Sequence, residues 1–195
     1  RRPPAYHANE DSGAEGDVLR GACRLHVPHC EPAVRLMASG AILREALAAA
    51  ELLAADFGIA AEVWSVTSWS EIARDGMTVE RANRLDPADP PRVPWIRRAL
   101  GPRVLPIVAA SDYVRAVAES IRACVGAPMV TLGTDGFGRS DTRAWLRRFF
   151  EVDRHHIVLA ALHPMAGKAA IDPALQPRAR ARCGGAPRGL PPWAC

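Results

Sequence analysis

The sequence predicts an α/β domain, and three strand-to-helix passages carry that reading. The first runs from Val34-Arg35-Leu36-Met37-Ala38-Ser39-Gly40, a strand and its turn, into a helix and then into a β-branched strand over 61–67. That is a βαβ unit, whose crossover is expected to be right-handed. The second runs from Pro106-Ile107-Val108-Ala109-Ala110 into a helix that Ser111 is expected to cap. The third joins the apolar run Met129-Val130-Thr131-Leu132 to a glycine-rich turn and a further helix.

The chain has 195 residues, enough for one domain with a real core. No apolar run approaches the roughly 18 residues a membrane span needs, so no membrane role is expected. Net charge is +4, with arginines concentrated in the last 20 residues and at the Arg97-Arg98 and Arg147-Arg148 pairs. No basic run is interleaved with stacking aromatics, so no nucleic-acid partner is expected. Five cysteines, an odd number, with no secretory signal pattern in view argue for a reducing cytoplasm and against a disulfide frame.

Residues 1–31 read as an extended arm without apolar periodicity, with at most one helical turn around Val18, Leu19 and Arg20. Within it Cys23, His26, His29 and Cys30 are chemically a legitimate zinc set. All four crowd into eight residues rather than two separated pairs, so no metal is expected there. The domain proper spans 32–175. Its first helix places Leu43, Leu47, Ala50, Ala54 and Phe57 on one stripe and stops at Gly58. A long excursion follows. Ser70 to Gly76 reads as a short helix stopped by glycine, and Val79 to Leu85 adds a turn. Prolines then keep 86–94 extended. An excursion this long is expected to lie against something, such as another subunit.

After the third strand, Val114, Val117, Ala118, Ile121 and Val125 form one stripe. Asp153 is expected to cap a last helix through Ile157 and Leu162, with His155 and His156 in its first turn as surface or half-buried groups. Residues 176–195, rich in Arg, Pro and Gly, have nothing that builds a core and read as a disordered tail.

The centre of the chain is Leu132-Gly133-Thr134-Asp135-Gly136-Phe137-Gly138-Arg139-Ser140-Asp141. Glycines where a strand hands over to a helix allow tight turning or close approach. Gly133, Asp135, Gly136, Phe137, Gly138, Arg139 and Ser140 are therefore assigned to a structural loop. Phe137 is expected to pin it to an apolar face, Ser140 to cap the next helix, and Arg139 to brace it by pairing with Asp135 or Asp141. A phosphate cradle is the competing reading, since helix N-termini attract anions. Neither glycine signature of such cradles is present and the loop has no lysine. No nucleophile elbow and no H-E-x-x-H appear either, so no residue is assigned a catalytic role.

From about Glu10 to Leu175 the chain resembles the C-terminal domain of the homodimeric pyruvate dehydrogenase E1 component. The resemblance lies in Ser39-Gly40-Ala41-Ile42-Leu43-Arg44, Ala49-Ala50-Glu51-Leu52-Leu53 and Glu71-Ile72-Ala73-Arg74-Asp75-Gly76. It continues in Pro91-Arg92-Val93-Pro94, Ala110-Ser111-Asp112-Tyr113, the glycine loop through Arg143, and Leu146 to His155. It implies a three-layer, transketolase C-terminal-domain-like fold with a mostly parallel, twisted sheet of about five strands. It also implies an enzyme that uses thiamine diphosphate and Mg²⁺ to decarboxylate pyruvate and reductively acetylate lipoyl groups of the dihydrolipoyl acetyltransferase. The implied partners are the remaining E1 domains and a second E1 subunit. The family's cofactor motif, Gly-Asp-Gly followed by paired asparagines, is missing: the only asparagines are Asn9 and Asn83. Two readings follow, a catalytic subunit's last domain whose cofactor is held elsewhere, or a non-catalytic assembly module of the same fold. A nucleotide binder using the glycine loop is a weaker third.

Overall fold

The computed structural model describes residues 13–165, 174–182 and 191–194. Five strands form one sheet in the order β1-β3-β2-β4-β5. They are β1 Ala22–His26, β2 Val34–Ala38, β3 Ala61–Val66, β4 Ile107–Ala110 and β5 Met129–Leu132. The last four run parallel, with Arg35 opposite both Glu62 and Ile107, and Val108 opposite Val130. Apart from the buried Arg35–Glu62 ion pair the parallel strands are mostly apolar, and β2, β3 and β4 are buried throughout, as covering both faces requires.

One face of the sheet, including Val34, Leu36, Val63 and Val108, packs under α2 (Leu43–Phe57) and α8 (Arg154–Leu162). The other, including Met37, Trp64, Ile107 and Met129, packs under α3 (Trp69–Leu85), α4 (Trp95–Ala99), α5 (Arg115–Glu119) and α6 (Arg122–Val125). These are the three layers expected. On α2 the buried stripe is Leu43, Ala46, Ala49, Ala50 and Leu53, while Leu47 and Phe57 are half-buried. The alanines let the helix lie close to the sheet, which moves the contact line off the larger side chains.

Several expectations are corrected. The segment read as an extended arm carries a helix, α1 (Gly13–Leu19), and the edge strand β1, antiparallel to β3. Along β1 the half-buried Cys23 and Leu25 alternate with the exposed Arg24 and His26, a period-2 signal too short to stand out in a segment of five residues. Gly76 does not stop a helix. It lies inside α3, where a Cβ would come within 2.1 Å of Cys124 Sγ, so its absence lets α6 approach. Gly76→Ala is expected to cost roughly 1–2 kcal/mol by overpacking, read as a lowered melting temperature, and Cys124→Ala in the same chain should return part of it.

Nor does Ser111 cap a helix; its hydroxyl accepts from Tyr113 N, and α5 starts only at Arg115. Asp112 and Tyr113 stay in the loop, where their carbonyls accept from Thr134, and the Val114 carbonyl accepts from Val117 N. The ends of the proline-rich excursion are anchored on α3, where Asn83 exchanges two hydrogen bonds with the Arg92 backbone and Asp75 accepts from Trp95 N, while residues 86–93 between them are exposed. That accounts for Asn83 without a cofactor.

The stretch read as a disordered tail holds α9 (Leu175–Arg182), which packs on α8 and buries Ala179, and a short turn at Pro192–Ala194. A single alanine contact and one buried proline leave no periodic signal. Residues 183–190 lie outside the described residues.

Candidate functional site

The strand order doubles back between β2 and β4, and a crevice opens at their carboxyl ends, the usual ligand position of open α/β sheets. A cleft of about 590 Å³ lies there, lined by Ala41 and Ile42 after β2, Asp112 after β4, and the glycine loop with α7 (Arg143–Phe149) after β5.

The loop is held by backbone and carboxylate contacts to the turn after β4. Thr134 N donates to Tyr113 O at 2.9 Å and Thr134 Oγ1 to Asp112 O at 2.8 Å. Gly133 is required by this approach, since a Cβ there would sit 2.6 Å from Tyr113 O and 2.8 Å from Arg115 N. Asp135 accepts from Arg115 N at 3.0 Å and forms an ion pair with the Arg115 guanidinium, which also stacks on Trp193, 4.3 Å from its ring centroid. A Cβ at Gly136 would sit 2.6 Å from Pro192 O.

The expected partnerships around the loop are therefore different ones. Arg139 lies over the Phe149 ring at 4.4 Å, and the loop brace belongs to Arg115. Ser140 is exposed, and the cap of α7 is Thr142, which accepts from Trp145 N. Phe137 is 80% exposed and is not buried against any apolar face among the described residues. The turn is already fixed by Thr134 and Asp135, so the ring is free to face outward. Arg115, Thr142 and Glu45 were not singled out in the sequence; an arginine or glutamate inside an alanine-rich helix carries no local mark of a long-range partner.

Behind the cleft sits a buried carboxylate. Glu45, on α2, pairs with Arg147 of α7 at 2.8 Å and with Arg154 of α8 at 2.9 Å, and also accepts from Arg154 N. Burial pushes its carboxyl up, but hydrogen bonds from Arg154 and the charges of Arg154 and Arg147 outweigh this and hold it below its ordinary value. Asp153 caps α8 and accepts from His156 at both N and Nδ1, the latter at 2.8 Å. Its carboxyl is likewise lowered, burial being outweighed by the His156 bonds. These groups brace helices; they are not placed as an acid/base couple. Ser39 Oγ accepts from the Trp69 indole, so it too is structural.

Cys23 and His26 lie on β1, while His29 and Cys30 fall in the bend after it. Burial, then the charge of Asp17, pushes the Cys23 thiol up. Among the described residues no three His, Cys, Asp or Glu side chains gather as a metal set.

A family model, the transketolase-like C-terminal domain, matches residues 21–153. The chain belongs to that family. Its first relatives are pyruvate dehydrogenase E1 components: from Pseudomonas aeruginosa, 47% identical over 94% of this chain and 21% of the relative, and from Cupriavidus necator, 45% identical over 85% and 19%. The Mycobacterium tuberculosis component is 45% identical over 89% and 19%. This transketolase-like domain is thus homologous to the C-terminal region of those proteins and spans about a fifth of their length. Transketolase structures share the fold: one from Leishmania mexicana at TM-score 0.50 and 22% identity, covering 82% of this chain and 20% of that one. A Pichia stipitis transketolase reaches 0.55 at 16% identity, covering 80% and 20%.

Proposed function

We propose that this chain is the C-terminal domain of a pyruvate dehydrogenase E1 subunit, whose complete form decarboxylates pyruvate and reductively acetylates lipoyl groups of a dihydrolipoyl acetyltransferase. One observation carries this: 94% of the chain aligns at 47% identity, yet only with 21% of the relative. The partners on this reading are the remaining E1 domains, a second E1 subunit and the acetyltransferase. The setting is the cytoplasm. Among the described residues no helix is long and apolar enough to cross a membrane.

Thiamine diphosphate with Mg²⁺ does not fit the residues present. A diphosphate-bound Mg²⁺ needs several oxygen ligands in near-octahedral array. In the glycine loop the Asp135 carboxylate is committed to Arg115, and Asp141 Oδ1 accepts from Thr142 N. The domain's contribution to catalysis is therefore structural: it braces the subunit while domains outside this chain hold the cofactor. Calorimetric titration of this chain with thiamine diphosphate and Mg²⁺ is expected to give no binding heat. A micromolar, Mg²⁺-dependent signal would overturn the assignment and make the glycine loop a phosphate site.

A further inference from the structure

At the amino ends of the parallel strands, opposite the glycine loop, a second cavity of about 420 Å³ opens between α4, the end of α6 and the segment leading into β4. Arg35, Arg97, Arg98 and Arg103 line it, and no carboxylate does. Two of the four are already answered. Arg35, 3% exposed, pairs with Glu62 at 2.8 Å and donates to the carbonyls of Arg103, at 2.9 Å, and of Leu100. Taking such a pair out of water is costly, and here its bonds to the two carbonyls hold the turn that walls the cavity. Arg103 meets Glu31, but both side chains are exposed, so this pair is weak and readily exchanged.

Arg97 and Arg98 differ. Among the described residues neither guanidinium has a carboxylate or another hydrogen-bond acceptor. The C-terminal ends of α4 and α6 favour cations here, yet neither side chain bonds a carbonyl of either helix. Arg97 is nevertheless placed. A Cβ at Gly126 would stand 2.8 Å from its Nε and 2.9 Å from its Cζ, so the guanidinium takes the room that a side chain would fill. Gly126, with φ +64°, is also the left-handed residue that closes α6.

Two unpaired guanidinium groups in one concavity, beside a third that is weakly paired, raise its positive potential. A single fork satisfies the two oxygens of a carboxylate, whereas a phosphomonoester, nearly doubly charged and with three free oxygens, engages two. The rest of the wall is apolar, including Val93, Leu100, Val104 and Val125. Val104 is 63% exposed and open to a ligand.

We propose that this cavity binds an organic phosphomonoester, with its phosphate between Arg97 and Arg98 and its apolar body against Val104 and Val125. The site is formed by this chain's residues alone and does not rest on the subunit reading. Thiamine diphosphate carrying Mg²⁺ is not such a ligand, because its thiazolium and the metal cancel the diphosphate charge.

The test is calorimetric titration of this chain, in low salt and a phosphate-free buffer, with phenyl phosphate, inorganic phosphate and phenylacetate. Phenyl phosphate is expected to bind about tenfold more tightly than inorganic phosphate, as its ring leaves water, and about tenfold more tightly than phenylacetate, which engages one fork. Either competitor binding as tightly as phenyl phosphate would overturn the assignment, as would no heat from phenyl phosphate itself. Arg97→Gln with Arg98→Gln, both exposed, should keep the parent's melt and weaken phenyl phosphate about a hundredfold. Arg44→Gln with Arg81→Gln removes the same charge from the exposed faces of α2 and α3 and should change the affinity by no more than about twofold. An equal loss in both pairs would show attraction to a basic chain rather than to a site, and would overturn the proposal.

Discussion

Glu45→Ala is expected to destabilise the domain by about 3 kcal/mol, among the largest effects of any single change here. Glu45 is 6% exposed and serves two arginines on two other helices. Removing it strands Arg147, whose side chain is only 17% exposed, whereas Arg154 at 45% can turn to water. The cost lies mainly with the buried partner left unpaired. Chemical denaturation gives the number, and a variant that unfolds with the parent's midpoint would show that the cluster adds nothing. The acid limb carries a second signature. Because the folded Glu45 carboxyl titrates below its ordinary 4.5, its stabilisation is complete above that pH and is lost as pH falls through the lowered folded value. Asp153, lowered from 3.8, acts in the same direction further into acid. Glu45→Gln should flatten the acid limb while keeping hydrogen-bond acceptors in place.

Gly133→Ala is expected to cost roughly 2–3 kcal/mol and to loosen the glycine loop. The new Cβ meets two backbone atoms, Tyr113 O and Arg115 N, so no rotamer change relieves it. Both atoms already serve the loop, Tyr113 O accepting Thr134 N and Arg115 N donating to Asp135. Moving them apart breaks the brace as well as the packing. Gly138 is the control: a Cβ there meets nothing within 4 Å, so Gly138→Ala should stay within about 0.5 kcal/mol of the parent. Thermal melts of the two variants compare them directly, and equal melts would mean that the approach at Gly133 relaxes freely.

The parallel core was legible because β2, β3, β4 and β5 are short apolar runs separated by helices of their own period. Asp153 was legible as a cap because capping is local, the acceptor and His156 N being three residues apart. What the sequence hid was long-range or half-exposed. β1 is an edge strand with charged residues outward, and α9 docks through one alanine. Gly76 has the composition of a helix stop, but its role is set by Cys124, distant in sequence. In the glycine loop the place of the turn could be read, and its partners could not. Arg139 and Asp135 are neighbours in sequence, yet Asp135 is met by Arg115 across the strand ends. Phe137 between glycines looked like an anchor because aromatic residues usually bury. Its 80% exposure shows that the ring does not anchor the loop to this domain's interior.

Pyruvate decarboxylation by the Pseudomonas aeruginosa E1 component, with its matching C-terminal region replaced by this chain, tests the central claim most directly. The replaced part is 47% identical, and the contacts that shape the carboxyl-end face lie within the chain itself. The expected result is a chimera that assembles and releases carbon dioxide from pyruvate with thiamine diphosphate and Mg²⁺, while the isolated chain does not. A chimera that binds the cofactor and stays folded but is inert would show that this domain does not serve such an enzyme.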